Sequence, residues 1–157
     1  MTHWIRYTLP AAAIVTVASP AYAVQYLTLE EAQKQAFPSA TKFTELQAGR
    51  AWKAEAGGRV AGYFIFDRVI GKHLYIDYAV ALTPNGAVHR VEILEYRESY
   101  GGEVRGSGWL AQFIGKTSGS ALQINSDIRN ISGATLSSTH ITEGVKRILA
   151  TYGSRLR

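Results

Sequence analysis

Not one of the 157 residues is a cysteine. Disulfides, thiolate metal ligands, iron–sulfur clusters and a c-type haem are therefore excluded, and the fold has to stand on its core. Acidic residues are also scarce, 12 Asp and Glu against 17 Lys and Arg, for a formal charge of +5. The excess is spread over many positions and forms no basic stripe, which argues against a nucleic-acid partner while suiting an acidic protein or an anionic membrane surface. None of His73, His89 and His140 stands at a metal-ligand spacing from another histidine or a carboxylate pair. No metal site is predicted, and each histidine is expected on a strand or helix surface. Internal repeats and low-complexity linkers are lacking too. A chain of this length has room for one domain with a sizeable core.

The apolar stretch Leu9 to Val17 is shorter than the ~20 residues of a membrane span and is broken by Pro10 and Pro20. With His3 and Arg6 before it and Ala21-Tyr22-Ala23 after it, the segment has the three regions of a signal peptide, and cleavage is expected after Ala23. The alternative is a retained single-helix anchor. The expected organisation is a leader over 1–23 and one domain over 24–157, exported to the periplasm at or near a membrane. Loss of Arg6 with the leader would bring the formal charge to +4.

Local signals in the mature part alternate between the two periods of secondary structure. Thr28-Leu29-Glu30-Glu31 is a capping box, and the helix it opens should end near Ala36, before Phe37-Pro38. Leu29, Ala32 and Ala36 share one face of it, which suits an amphipathic cover over a sheet. The pattern from Phe43 to Lys53 is weak, and Ala56-Gly57-Gly58 reads as a turn between short strands. Val60 to Phe66, His73 to Leu82 and Ala87 to Leu94 are rich in β-branched and aromatic residues, and the second alternates strictly. The last two should pair as a hairpin around Asn85-Gly86, residues that tolerate positive φ. Further on, Trp109, Leu110 and Phe113 fall at helical spacing, and at least two of them are expected in the core rather than stacked on a ligand ring. A final helix is predicted from Ser137 or Ser138 to about Tyr152, with Ile141, Val145, Ile148, Leu149 and Tyr152 on one stripe, Lys146 and Arg147 in its closing turns and Gly153 as its C-terminal stop. The layout is α+β: an antiparallel sheet meander flanked by N-terminal and C-terminal helices in a single domain.

Two stretches carry candidate chemistry. Asn130-Ile131-Ser132-Gly133-Ala134-Thr135-Leu136-Ser137-Ser138 leads straight into the last helix. A small-residue loop that brings hydroxyls and free N–H groups to a helix N-terminus can seat a phosphate, although the same composition also describes an ordinary N-cap. The second stretch is Glu98-Ser99-Tyr100-Gly101-Gly102, where paired glycines would let backbone approach a flat ligand and the Glu98 carboxylate and nearby tyrosines could meet its polar atoms; the alternative is a plain surface turn. Gly115-Lys116-Thr117 has the end of a phosphate-loop motif without its earlier glycine and spacing, so nucleoside triphosphate binding is rejected.

Ser-Gly-Ala-Thr-Leu-Ser-Ser resembles the attachment motif of the FMN-binding domain family, which includes flavin-carrying subunits of sodium-pumping NADH:quinone reductase and of Rnf-type complexes. The Glu98 loop followed by Trp109…Phe113-Ile114-Gly115-Lys116 resembles that family's second signature, without its proline and with the second glycine displaced. The likeness extends over roughly Leu46 to Tyr152. It implies FMN held covalently, through a phosphoester on Thr135 that a dedicated flavin transferase installs. The cofactor-binding residues it implies are Thr135, Ser132, Gly133, Ala134, Leu136, Ser137, Glu98, Ser99 and Gly101, with the N–H groups of Leu136 to Ser138 and the hydroxyls of Ser132 and Ser137 at the phosphate. The family usually has an acid three positions before the motif's serine; here that position is Arg129, and the nearest acid is Asp127.

The expected role is an electron relay between a donor and an acceptor, one of them a membrane or periplasmic redox protein, with no catalytic acid, base or nucleophile in turnover. Two alternatives stand beside it: an exported non-redox binding module in which Ser132 to Ser138 only caps a helix, and a flavin-dependent reductase of a small acceptor. The sequence does not fix the oligomeric state.

Overall fold

A computed structural model describes residues 23–155. The expected leader and its cleavage motif lie outside the described residues apart from Ala23. The strands are β1 (Val24–Gln25), β2 (Lys42–Gln47), β3 (Ala51–Ala56), β4 (Arg59–Ile70), β5 (Tyr75–Leu82) and β6 (Val88–Tyr96), and the α-helices are α1 (Leu29–Ala36), α2 (Ser107–Leu110) and α3 (Thr135–Tyr152). Short 3₁₀ turns at Gly102–Arg105 and Ala111–Phe113 flank α2. The strands form one antiparallel sheet in the order β1-β6-β5-β4-β3-β2. This is the predicted α+β meander between an N-terminal and a C-terminal helix.

The sheet has a core on each face. Alternation in β5 sends Ile76, Tyr78, Val80 and Leu82 to one side, where they meet Ile141, Val145, Ile148 and Leu149 of α3 together with Trp109, Leu110 and Phe113. It sends Ala79 and Ala81 to the other, where Ala32 and Ala36 of α1 pack with Phe37, Trp52 and Phe64. Small residues on both partners let α1 lie close to the sheet, while the α3 side takes the large side chains. Each fully buried aliphatic there contributes about 1.5–3 kcal/mol over its exposed state. Trp109, Leu110 and Phe113 are core residues, as their spacing predicts.

Two features fix how α3 lies on the sheet. Gly144 faces Tyr78 so closely that a Cβ at residue 144 would come within 2.2 Å of the phenol oxygen. Next to it, buried Asp67 accepts from the Tyr78 hydroxyl at 3.1 Å and pairs with Arg147 at 2.8 Å and Arg50 at 3.0 Å. Burial pushes the Tyr78 phenol well above its ordinary range, so it stays a donor.

Several local expectations shift. The hairpin at Asn85-Gly86 forms as predicted, but β5 begins at Tyr75 rather than His73, since residues 71–74 form the turn from β4. Weakly patterned Phe43 to Lys53 contains β2 and the start of β3; β2 is an edge strand, mostly exposed, and needs little apolar periodicity. α3 starts at Thr135, two residues earlier than the nearer of the two expected starts. Gly133, at φ +84°, turns the chain so that Ala134 N–H reaches the Ile131 carbonyl at 3.0 Å, and the helix begins directly afterwards. Lys146 and Arg147 sit before the last turn; Lys146 donates to the Ala121 carbonyl and Arg147 is committed to Asp67. Gly153 closes α3 in right-handed geometry at φ −59°, and a Cβ on its neighbour Gly86 would meet the Gly153 carbonyl.

Candidate functional site

Three loops that are far apart in sequence meet at one end of the sheet. Lys72 and His73 come from the β4–β5 turn, Glu98 to Gly101 from the segment after β6, and Gly133 to Ser137 from the start of α3. Between them is an open cleft of about 500 Å³. Eight of the nine residues that the motifs nominate line it: Thr135, Gly133, Ala134, Leu136, Ser137, Glu98, Ser99 and Gly101. Ser132 does not; it is exposed.

The start of α3 is an uncapped helix end. Its N-cap position is Ala134, at φ −127° and ψ 30°, and no side chain accepts from the first turn. The first-turn donors and the dipole of an 18-residue helix are thus offered at the wall of the cleft. Thr135, the first helical residue, is exposed, and its Oγ accepts a hydrogen bond from Asn130 Nδ2 at 3.1 Å. Ser138 is fully buried, with its Oγ 2.9 Å from Asn130 Oδ1 and 2.9 Å from the Ala134 carbonyl.

The β6 loop is held by its own contacts. The Tyr96 hydroxyl donates to the Tyr100 carbonyl, which leaves Ser137 Oγ, 3.1 Å away, as donor to Tyr96. The Ser137 hydroxyl is therefore spent inside the protein, and what Ser137 presents to the cleft is its backbone. Burial pushes the Tyr96 phenol up, so this arrangement persists through neutral pH. Gly101 sits at φ +87° where a Cβ would meet Tyr96 Oη at 2.6 Å, so both the backbone conformation and the space require glycine.

Glu98 lines the cleft with its carboxylate tied to the neighbouring turn. Its Oε1 accepts from the backbone N–H groups of His73 and Leu74, the latter at 2.8 Å. Burial opposes its charge, but the bonds from His73, Leu74 and Lys72 outweigh that and hold its pKa below the ordinary range. The carboxylate thus fixes the β4–β5 turn, which His140 of α3 grips from the other side through Nδ1, 2.6 Å from the Ile70 carbonyl. His140 is therefore a clamp between two walls of the cleft rather than the plain surface residue its spacing suggests. His89 is likewise engaged, 3.0 Å from the Ala36 carbonyl and stacked on Phe37.

Held in this way, the β4–β5 turn puts the Lys72 side chain at the rim, with no ion-pair partner among the described residues. A cation at that rim and a helix N-terminus in the wall favour an anion between them. Tyr100 and Leu136, 86% and 48% exposed, give the same cleft apolar surface. The site therefore has a polar, anion-favouring end and a flat apolar rim.

Asp127 and Arg129 do not belong to the cleft. Asp127 accepts from the backbone of Leu122 and Gln123 and pairs with Lys116 at 3.0 Å, and these contacts, led by the Gln123 N–H, bring its pKa down to about 2. Arg129 lies beside Gln112, and its carbonyl accepts from Trp109 Nε1 at 2.7 Å. Sequence reasoning missed Asn130, Lys72 and His73 as site residues. Asn130 was legible only as part of the loop, and nothing in the spacing of Lys72 and His73 ties them to α3.

Comparison with known families gives one match: the profile described as FMN-binding domain fits residues 71–150, just over half the chain. It begins at the β4–β5 turn and ends in α3, so it contains all three loops of the cleft, whereas β2, β3 and all of β4 precede it. No curated protein matches the chain.

Proposed function

This chain belongs to the FMN-binding domain family and is a flavin-binding protein, and from that premise we propose that it is an exported electron carrier whose FMN is esterified through its phosphate to Thr135. The observation that carries the reading is the position of Thr135: an exposed hydroxyl on the first residue of an uncapped helix, at the mouth of a cleft with room for a small cofactor.

The residues fit the group. Ester formation leaves one negative charge on the phosphate, which the first-turn N–H groups of Leu136 to Ser138 and the Lys72 ammonium would stabilise. Ser137 would contribute through its backbone. The exposed Tyr100 and Leu136 would flank the ring. Bound there, the flavin supplies one- and two-electron redox chemistry; the chain's own groups hold it, tune its surroundings and limit its exposure to water. No side chain in the cleft is called on as acid, base or nucleophile during turnover. The leader pattern at 1–23 supports export, and a covalent bond suits a compartment in which a dissociated cofactor would be lost.

The test is the intact mass of the exported chain purified from a host that also makes a flavin transferase, beside a Thr135→Ala control. A gain of one FMN less one water in the parent alone supports the reading. A parent without the adduct overturns the covalent linkage. A purified parent that exchanges no electrons with any redox protein but reduces a small acceptor on its own would favour the reductase.

A further inference from the structure

The departure at Arg129 raises the question of which group prepares Thr135 for modification, since the side chain at that position lies against Gln112 and does not line the cleft. We infer that Asn130 is the positioning residue for the threonine oxygen and that Ser138 sets the Asn130 amide; the inference rests on the covalent reading above.

The geometry is a two-step relay that does not pass through Arg129. Asn130 is half-buried and makes two side-chain contacts, Nδ2 to Thr135 Oγ at 3.1 Å and Oδ1 from Ser138 Oγ at 2.9 Å. Ser138 is fixed by burial in the first turn of α3, where its hydroxyl also lies 2.9 Å from the Ala134 carbonyl and 3.1 Å from that of Thr135. An exposed threonine at a helix start would otherwise rotate between χ1 wells, because its Oγ competes for nearby carbonyls. The Asn130 N–H selects one well. It occupies one lone pair of Oγ and leaves the other, with the hydroxyl proton, on the cleft side. Modification needs that arrangement. The Oγ–P bond forms as the bond from phosphorus to the leaving group of the flavin nucleotide donor breaks. The leaving group departs with the electron pair, and the threonine proton passes to the transferase or to water.

The experiment measures initial rates of labelling of the purified full chain by a flavin transferase and its nucleotide donor, read by intact mass and by flavin fluorescence of the denatured band. Asn130→Ala should be labelled about fivefold more slowly than the parent, the order expected for one lost hydrogen bond of about 1 kcal/mol. Asn130→Asp keeps an acceptor for Ser138 but no donor for Thr135, so it should melt like the parent and still be labelled slowly. The loss should fall on kcat for the chain as transferase substrate and leave KM unchanged. Ser138→Ala should show a smaller loss, about threefold, in the same direction. Labelling of Asn130→Asp at the parental rate, or a rise in KM alone, would overturn the inference and leave the covalent reading standing. A parent that takes no label would overturn both.

Discussion

The two long helices start in opposite ways. At the start of α1, Thr28 and Glu31 close a capping box: Glu31 N–H donates to Thr28 Oγ at 3.2 Å, and Thr28 N–H donates to the Glu31 carboxylate at 2.8 Å. At the start of α3 the cap position is an alanine, the first turn receives no side chain, and the nearest hydroxyls bond to other groups. A helix end that is satisfied by its own side chains has nothing left to offer a ligand. An end left open at the wall of a cleft does, and the protein forgoes about 0.5–2 kcal/mol of capping stability to keep it so. The contrast separates a start closed by its own side chains from one left open to a ligand.

The sharpest way to test the contrast is to exchange what each start loses. Thr135→Ala should abolish the covalent adduct completely, by intact mass, and leave the apo melting temperature close to the parent's, because Thr135 caps nothing. Next in size is Gly144→Ala, which drives a Cβ into the Tyr78 hydroxyl and should lower stability by about 1–3 kcal/mol in urea unfolding. Labelling should fall with it, since α3 carries one wall of the cleft, while the α1 cap is untouched. A Gly144→Ala protein as stable as the parent would show that the docking of α3 is looser than the packing implies.

At the other start, Thr28→Ala should cost about 1 kcal/mol in the same unfolding experiment and leave labelling unchanged. Ala134→Ser would convert the open end into a capped one. It should raise apo stability by about 0.5 kcal/mol and slow labelling, since the added oxygen takes a first-turn N–H. Faster labelling would mean that the open end is not what the phosphate needs. The smallest effect is on pH. Backbone and side-chain bonds from Thr28 lower the Glu31 pKa below its ordinary value of 4.5. The stabilisation from that cap is therefore full above pH 4.5 and is lost as pH falls through the lowered folded value. Glu31→Gln should remove this part of the acid response, whereas α3 has no titrating cap and should contribute none.

Residues whose role is local were legible. The α1 box, the Asn85-Gly86 hairpin, the alternation in β5 and the core positions Trp109, Leu110 and Phe113 each follow from neighbours within a turn or along a strand. The loop from Ser132 to Ser138 was legible as a motif, and eight of the nine nominated residues line one cleft. What escaped were roles that depend on a distant partner. Glu98 lines the cleft as expected, but its bonds to the turn at His73 and Leu74 were not legible. Ser137 was expected at the phosphate and instead donates to Tyr96. Asp127 holds its own turn and Lys116.

By itself, then, the sequence determined the periods of strand and helix, the caps and turns, the lack of any thiol chemistry and the loop that carries Thr135, because all of these depend on residue types at short and fixed separations. Only the tertiary structure decided that the β4–β5 turn, the Glu98 loop and the start of α3 share one cleft, which of their polar groups face it and which are spent on one another. Hydrogen bonds such as His140 to Ile70 or Tyr96 to Ser137 join residues many tens of positions apart. No local preference encodes such a pairing; it arises when the large side chains of α3 and β5 close over one another and bring those groups within reach.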